Sequence, residues 1–341
     1  MQPSAAKAVE RLEAGSPPGR PPAPVATPGM DCFGPAAADL LRNPTVLLFL
    51  AALLLCAAGV FGDLQGLPAA AVFVINALGL YLGFTVLHDA VHSVAHRRPR
   101  AGRFLGTVTG FLLTFTYPFF RAVHLRHHAH ANDHDRDPDA VTAGLPPLLA
   151  PFLGGMAVYA SYQYNFFRRR MWRSRAELAE VVACDAFYLG ILAAALAGGW
   201  LRQLLVLWVG PLFLTLHFLV YTFDYLPHYP HDSTERYYSA RAYGGWLAAA
   251  VHLNQNFHLI HHIWPRIPWF HYRRAYLQTR PALAARGCRI TWRVTPLPPE
   301  AGAVRSGAPA EVPERGVRGD LAGQAGEGDA ARPDRCLPAG V

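Results

Sequence analysis

Apolar residues gather in four long runs, at 45–61, 68–87, 181–200 and 204–223, with polar segments between them. A helix that crosses a bilayer needs about 20 predominantly apolar residues, with a range reaching down to ~17. Each run meets that length, so the pattern predicts an all-α integral membrane protein with four transmembrane helices. Two further stretches, 104–120 and 145–160, are apolar but interrupted by Pro, Gly or polar residues. They are expected to be re-entrant or interfacial, with a fifth span at 104–120 as the alternative. The two ends of the chain are Pro, Ala and Gly rich and hold few large apolar side chains, too little to offset the entropy of ordering. The expected organisation is a disordered tail (1–43), a membrane domain (44–295) and a second disordered tail (296–341). No cleavable signal pattern opens the chain, and no internal repeat is visible.

Charge gives the orientation. The short connections 62–67 and 201–203 carry only Arg202 between them, whereas Arg97, Arg98, Arg100, Arg103, Arg168, Arg169, Arg170, Arg173 and Arg175 flank the other ends of the runs. Basic loops stay cytoplasmic, so both termini and the large polar segments are expected on the cytoplasmic face of a bacterial inner membrane. The net charge of +8 is almost wholly arginine. It accompanies no nucleic-acid-binding motif and suits lipid head groups or an acidic protein partner. At 52% hydrophobic and 16% charged residues, the 341-residue chain is apolar for a soluble protein. Its five cysteines are scattered, with no CxxC spacing that would frame a disulfide scaffold or a metal cluster.

The candidate chemistry lies in three histidine clusters beside the apolar runs: His88-Asp-Ala-Val-His92, His124-Leu-Arg-His127-His128 and His258-Leu-Ile-His261-His262. Residues at i, i+3 and i+4 share one helix face, so each cluster can direct imidazoles at a common centre. Neutral imidazole is a ligand for iron, zinc, copper or nickel. Eight such histidines exceed what one mononuclear site uses, and a two-metal site is the economical reading. With an even number of spans between them, all three clusters fall on one face of the membrane, in a helical cap. A zinc-peptidase helix also spaces two histidines by four but needs Glu after the first. Here Asp89 stands in that place and better suits a role in orienting a ligand imidazole.

Further residues extend the set. Asp224 and His228 sit where the fourth run leaves the membrane, a candidate ligand pair or a simple helix-end cap. His96 and Asn256 are candidates to brace a ligand ring. His130, His134, Asp135, Asp137 and Asp139 read as a solvated loop, with bracing of a ligand as the alternative. Asp185 and His217 lie inside spans. His231, His252 and His271 read as ordinary interfacial histidines. Trp264, Trp269 and Phe270 follow the last cluster and would either shape a substrate entrance or form an interfacial aromatic belt. Soluble di-iron bundles commonly use Glu with Glu-x-x-His, a motif missing from these runs. Zinc has no redox chemistry, whereas iron with open positions activates O2 against unactivated C–H bonds.

HxxxH, HxxHH and HxxHH in this order around paired spans resemble the membrane fatty-acid desaturase and hydroxylase superfamily. The words HDAVHSVAH (88–96), FRAVHLRHHAHANDHDRDPD (120–139), FDYLPHYP (223–230), QNFHLIHHIWPRIPWF (255–270) and RPALAARGC (280–288) are most similar to the bacterial and cyanobacterial type of β-carotene hydroxylase. The resemblance runs from about 45 to 290. It implies a di-iron centre on His88, His92, His124, His127, His128, His258, His261 and His262, with His228 as a ninth ligand. It also implies O2-dependent hydroxylation of the β-ionone ring of β-carotene at carbon 3, giving cryptoxanthin and then zeaxanthin. Two electrons per turnover would come from a separate donor such as a ferredoxin. Asp224 departs from the water-holding Asn that acyl-CoA desaturases carry four residues before that histidine. Acyl-lipid desaturases and carotene ketolases share the scaffold and remain alternatives, and a histidine-rich metal transporter is the alternative outside enzymes.

Overall fold

The computed structural model describes residues 25–28 and 42–296. The expectations for the tails 1–43 and 296–341 therefore fall almost wholly outside the described residues. Within the first of them, Val25 packs on the cap core and its N–H donates to the Tyr237 hydroxyl (3.1 Å).

The chain forms α1 (Pro44–Leu64), α2 (Ala69–Val91), α3 (Pro99–Leu112), α4 (Tyr117–His130) and α5 (Ala150–Arg168). Then come α6 (Arg175–Gly198) and the long α7 (Leu201–His228). Four of these helices, α1, α2, α6 and α7, are long and apolar enough to cross a membrane. At about 1.5 Å per residue, even the 21 residues of α1 span the ~30 Å hydrocarbon layer. Local sequence sets the ends. The Asn43 side chain accepts from the N–H groups of Thr45 and Val46 and caps α1, with Pro44 pre-set at the first helical position. The Asn43 amide also donates to the Ala95 carbonyl (3.1 Å), which ties the start of α1 to the end of α2. Helix α2 stops where Ser93 turns left-handed (φ 61°) and Val94 N–H donates back to the Asp89 carbonyl.

The interrupted stretch 104–120 is not a span. It is two helices, α3 and α4, folded against each other across a turn at Thr114 (φ 59°). The stretch 145–160 begins a 19-residue helix, α5, which packs on α7. Small residues allow these contacts, as in other membrane bundles. A Cβ on Gly79 would sit 3.0 Å from the Ala52 carbonyl of α1, and one on Gly155 would meet the His217 ring at 2.8 Å.

α7 is not a uniform helix. Two wide π-type segments, Leu205–Val209 and Val220–Tyr225, interrupt it. Such insertions often mark functional sites, and the second carries Phe223 and Asp224.

Beyond α7 the chain builds a cap. β1 (Ala242–Tyr243) pairs in parallel with β2 (Ile290–Thr291), around α8 (Trp246–Val251), α9 (His258–Ile263) and α10 (Tyr272–Ala285). Leu259, Ile260 and Ile263 are fully buried in the cap core. Each such side chain contributes about 1.5–3 kcal/mol, so the short α9 is fixed by packing and not by its length. The wholly buried Arg241 donates to the Leu226 and Thr295 carbonyls. It joins the end of α7 to the segment after β2.

Candidate metal centre

The C-terminal ends of α2 and α7 lie at the same end of the bundle, and α4 and α9 meet them there. Nine of the 16 histidines converge at this junction. They form two groups, each with its ligand nitrogens within 4.8 Å of one another: His88, His92, His124, His128 and His261, and His127, His228, His258 and His262. All are buried except the half-buried His128. Each HxxHH box is dealt across both groups. Its i and i+4 histidines go to one group and its i+3 histidine to the other.

The nitrogens crowd in a way that hydrogen bonding does not explain. His124 Nε2 lies 2.9 Å from His92 Nε2 and 3.2 Å from His128 Nε2. His262 Nε2 lies 3.0 Å from His258 Nε2 and 3.3 Å from His127 Nε2. One ring nitrogen either donates or accepts and cannot serve two such neighbours. A cation that draws in every lone pair does. Imidazoles at right angles on a metal with bonds of about 2.0–2.1 Å place their nitrogens about 3 Å apart. His228 Nε2, buried and without a hydrogen-bond partner, is likewise free to ligate. The donor set therefore fits two metal ions with nitrogen-rich shells.

The far side of the rings fixes their tautomers. His228 Nδ1–H donates to the Ser239 carbonyl (2.8 Å), and the Tyr272 hydroxyl meets His261 Nδ1 (2.8 Å). His127 Nδ1 faces Asp137 (3.0 Å) and Asp139 (3.3 Å). Phe120 stacks on His124 with ring centres 5.0 Å apart. Burial, and then the charge of neighbouring rings, hold His92, His124, His128, His258, His261 and His262 below the ordinary histidine range, so they are neutral and ready to ligate. His127 differs. Burial also opposes its charge, but Asp137 and Asp139 outweigh that and lift it to about 10.

An apolar cavity abuts both groups. Phe84, Phe115, Phe120, Leu216, Val220 and Phe223 wall it, and His88 and His124 of one group and His127 and His258 of the other close its end, with Asp139, Asp224 and Gln255.

The sequence profile described as "Fatty acid desaturase" matches residues 65–294. The chain belongs to the fatty acid desaturase family. Among similar proteins are the chloroplastic omega-6 fatty acid desaturase of Brassica napus, 26% identical over 233 residues (57% of this chain, 49% of that protein). The dihydrorhizobitoxine desaturase of Bradyrhizobium elkanii is 28% identical over 218 residues (54% and 60%). The chloroplastic omega-6 desaturase of Glycine max is 27% identical over 247 residues (62% and 55%). The chain spans about half the length of the curated relatives it matches. Family membership, the two histidine groups and the four apolar helices together describe a membrane protein with side chains arranged to hold metal.

The remaining residues singled out in the sequence divide. Asp89 accepts from Thr45 Oγ1 (3.2 Å) and lies 3.9 Å from His88 Nδ1, beyond a hydrogen bond. It ties α2 to α1 and to the Trp269 N–H. His96 is not in either group, and its Nδ1 accepts from the Arg98 N–H. The Asn256 amide donates to the Tyr243 carbonyl. The expected substrate entrance at Trp264, Trp269 and Phe270 does not line the cavity. Trp264 is buried in the cap core, the Trp269 indole N–H donates to Thr45, and Phe270 borders a surface cleft with Arg273 and Arg274. Of the three, Trp269 fastens the cap to α1. The loop 130–139 is only partly solvated. His134 is exposed, but Asp137 and Asp139 are buried. Asn132 turns left-handed (φ 66°), which brings its own N–H onto Asp137 and folds both carboxylates back under His127. Tyr272 and Gln255 were not singled out by the sequence. Tyr272 lies eleven residues past His261, and no local spacing announces it.

Proposed function

We propose that the protein is an O2-dependent di-iron monooxygenase that hydroxylates carbon 3 of the β-ionone ring of β-carotene, giving cryptoxanthin and zeaxanthin in carotenoid biosynthesis. Its catalytic unit is the segment 44–295, held in a bacterial inner membrane with the histidines and both termini on the cytoplasmic side. One observation carries the oxidative part: a single apolar cavity is closed by histidines of both groups. A C–H bond buried there faces both metal positions at once, shielded from water. One iron would be held by His88, His92, His124, His128 and His261, and the other by His127, His228, His258 and His262. Iron bound there would supply the O2 activation that an unactivated C–H bond requires. The net reaction is R–H + O2 + 2 e⁻ + 2 H⁺ → R–OH + H2O. The electrons would come from a separate acidic carrier such as a ferredoxin, drawn to the arginine-rich segments 97–103 and 168–175. In this scheme the chain's own residues position and exclude. Phe84, Phe120 and Phe223 hold the substrate against the rings, and Asp137 and Tyr272 keep the ligand imidazoles in place. The ring substrate rests on the words between the boxes, above all QNFHLIHHIWPRIPWF.

The second reading is an acyl-chain desaturase, favoured by the relatives named as desaturases. Expression in a host that accumulates β-carotene decides between them. Chromatography of the pigments should show cryptoxanthin and zeaxanthin. Unchanged β-carotene beside newly unsaturated acyl chains would overturn the carotenoid reading.

A further inference from the structure

Two buried polar side chains at the histidine end of the cavity have no role in the scheme above. Gln255 is 1% exposed, and its Nε2 has no hydrogen-bond partner. Asp224 is 9% exposed, and neither carboxylate oxygen has a partner. The Thr142 hydroxyl beside it donates instead to the Asp139 carbonyl. Both side chains line the same cavity with His127 and His258. The segments that carry them, the π-type turn Val220–Tyr225 and the turn Gln255–Phe257, pack on each other. Leaving a buried polar group unpaired is costly, so a donor and an acceptor opening on one apolar cavity call for a ligand that satisfies both.

We propose that Gln255 and Asp224 form a hydroxyl-binding pair, with the amide donating to an alcohol oxygen and the carboxylate accepting the alcohol proton. A hydroxyl is the small group that both donates and accepts. A carboxylate ligand donates nothing and would leave the Asp224 oxygens unpaired. An ammonium accepts nothing from Gln255. An alkyl chain satisfies neither side chain, and a water fills the pair while one is bound. The inference rests on the histidine groups being the oxidising centre, and it separates two outcomes of oxidation there. Hydroxylation leaves an alcohol for the pair to hold. Desaturation, R–CH2–CH2–R′ + O2 + 2 e⁻ + 2 H⁺ → R–CH=CH–R′ + 2 H2O, leaves none.

The test uses full-length, iron-loaded protein in nanodiscs, immobilised and equilibrated with an equimolar pair of probes, with the retained ratio read by chromatography. One pair is cryptoxanthin with β-carotene, and the other is octadecanol with octadecane. Wild type is expected to retain the alcohol of a pair about tenfold over its hydrocarbon, the scale of one to two ordinary hydrogen bonds. Gln255→Leu should bring that ratio to about one with iron content unchanged. Asp224→Asn, which still accepts through its amide oxygen, should keep part of the preference. Equal retention of alcohol and hydrocarbon by wild type overturns the pair, as does a Gln255→Leu protein that keeps both its iron and the full preference. Preference for octadecanol with no carotenoid retained removes the carotenoid substrate and leaves the pair standing.

Discussion

The two histidine groups differ in what stands behind them. In the five-histidine group the Tyr272 hydroxyl, a neutral partner, braces His261, and Asp89 stops 3.9 Å short of His88. In the four-histidine group His127 leans on two buried carboxylates, Asp137 and Asp139, and His228 on a backbone carbonyl. Asp224 lies on the same side, so three carboxyl groups gather behind the four-histidine group against Asp89 alone behind the other. Carboxylates make a bound imidazole a stronger donor and lower the net charge of the ion it serves. The comparison teaches that the two positions, nearly equal in ligand type, are unequal in field, and that the polar end of the cavity belongs to the four-histidine side.

Removing a ligand breaks the comparison most severely. His124→Ala and His262→Ala are each expected to abolish turnover, and metal analysis with Mössbauer spectroscopy should tell them apart. The first should empty the five-histidine position and the second its neighbour, with the remaining iron giving a different signal in each. Identical spectra from the two variants would dissolve the division into two groups.

Changing what braces the ligands should act less strongly and unequally. Asp137→Asn keeps the shape and removes the nearer of the two carboxylates behind His127, and is expected to lower metal affinity by about 10–100-fold. Tyr272→Phe removes one neutral bond from His261 and should cost less than about tenfold. Competition with a chelator at fixed iron measures both. An equal loss for the two variants would mean that charge is not what separates the groups.

The metal-free protein should show the same inequality in its pH dependence. Six of the clustered rings have folded pKa values below the ordinary 6.5. Above 6.5 they are neutral in both the folded and the unfolded chain. As pH falls through 6.5 the unfolded chain takes up protons that the folded one refuses, so stability drops. His127, lifted to about 10, contributes stability that is fully present below 6.5 and is lost as pH rises through 10. Thermal unfolding of the metal-free protein should therefore be most favourable for the fold near neutrality and weaken on both sides. Asp137→Asn should move the alkaline decline to lower pH, with Asp139 still beside the ring, and leave the acid one in place. An alkaline decline that does not move in this variant would assign that limb to another group.

The spans and the eight histidines of the three boxes stand out because both signals are local, whereas His228 was a candidate only from its place at the end of a run and from the resemblance. Twenty apolar residues in a row, or three imidazoles within five positions, need no tertiary contact to be noticed. The division between groups was less legible. Spacing suggests that a box acts as a unit, whereas the helix turns its i+3 ring away from the other two, so His127 leaves His124 and His128. The residues behind the rings were hidden for a related reason. Asp137 and Asp139 sit in a run as polar as any solvated loop, and only the left-handed turn at Asn132 buries them. The aromatic run after the last box was open to two readings. Exposed tryptophans at a membrane boundary and tryptophans that pin a cap look alike until Trp269 is seen bonded to Thr45.

That pin gives the smallest effect and the sharpest control. Trp269 Nε1–H donates to Thr45 Oγ1, whose own proton goes to Asp89, so the three join the cap, α1 and α2 in one chain of bonds. None of the three is in either histidine group. Trp269→Phe keeps the ring and deletes one neutral hydrogen bond, worth about 1 kcal/mol, and should lower thermal stability slightly with iron content and chelator resistance intact. Because Asp89 follows His88 directly, a loss of iron in this variant would show that the five-histidine group is braced after all, through the cap and not through charge. The contrast between the groups would then be one of distance to the brace, with neutral scaffolding serving the first as carboxylates serve the second.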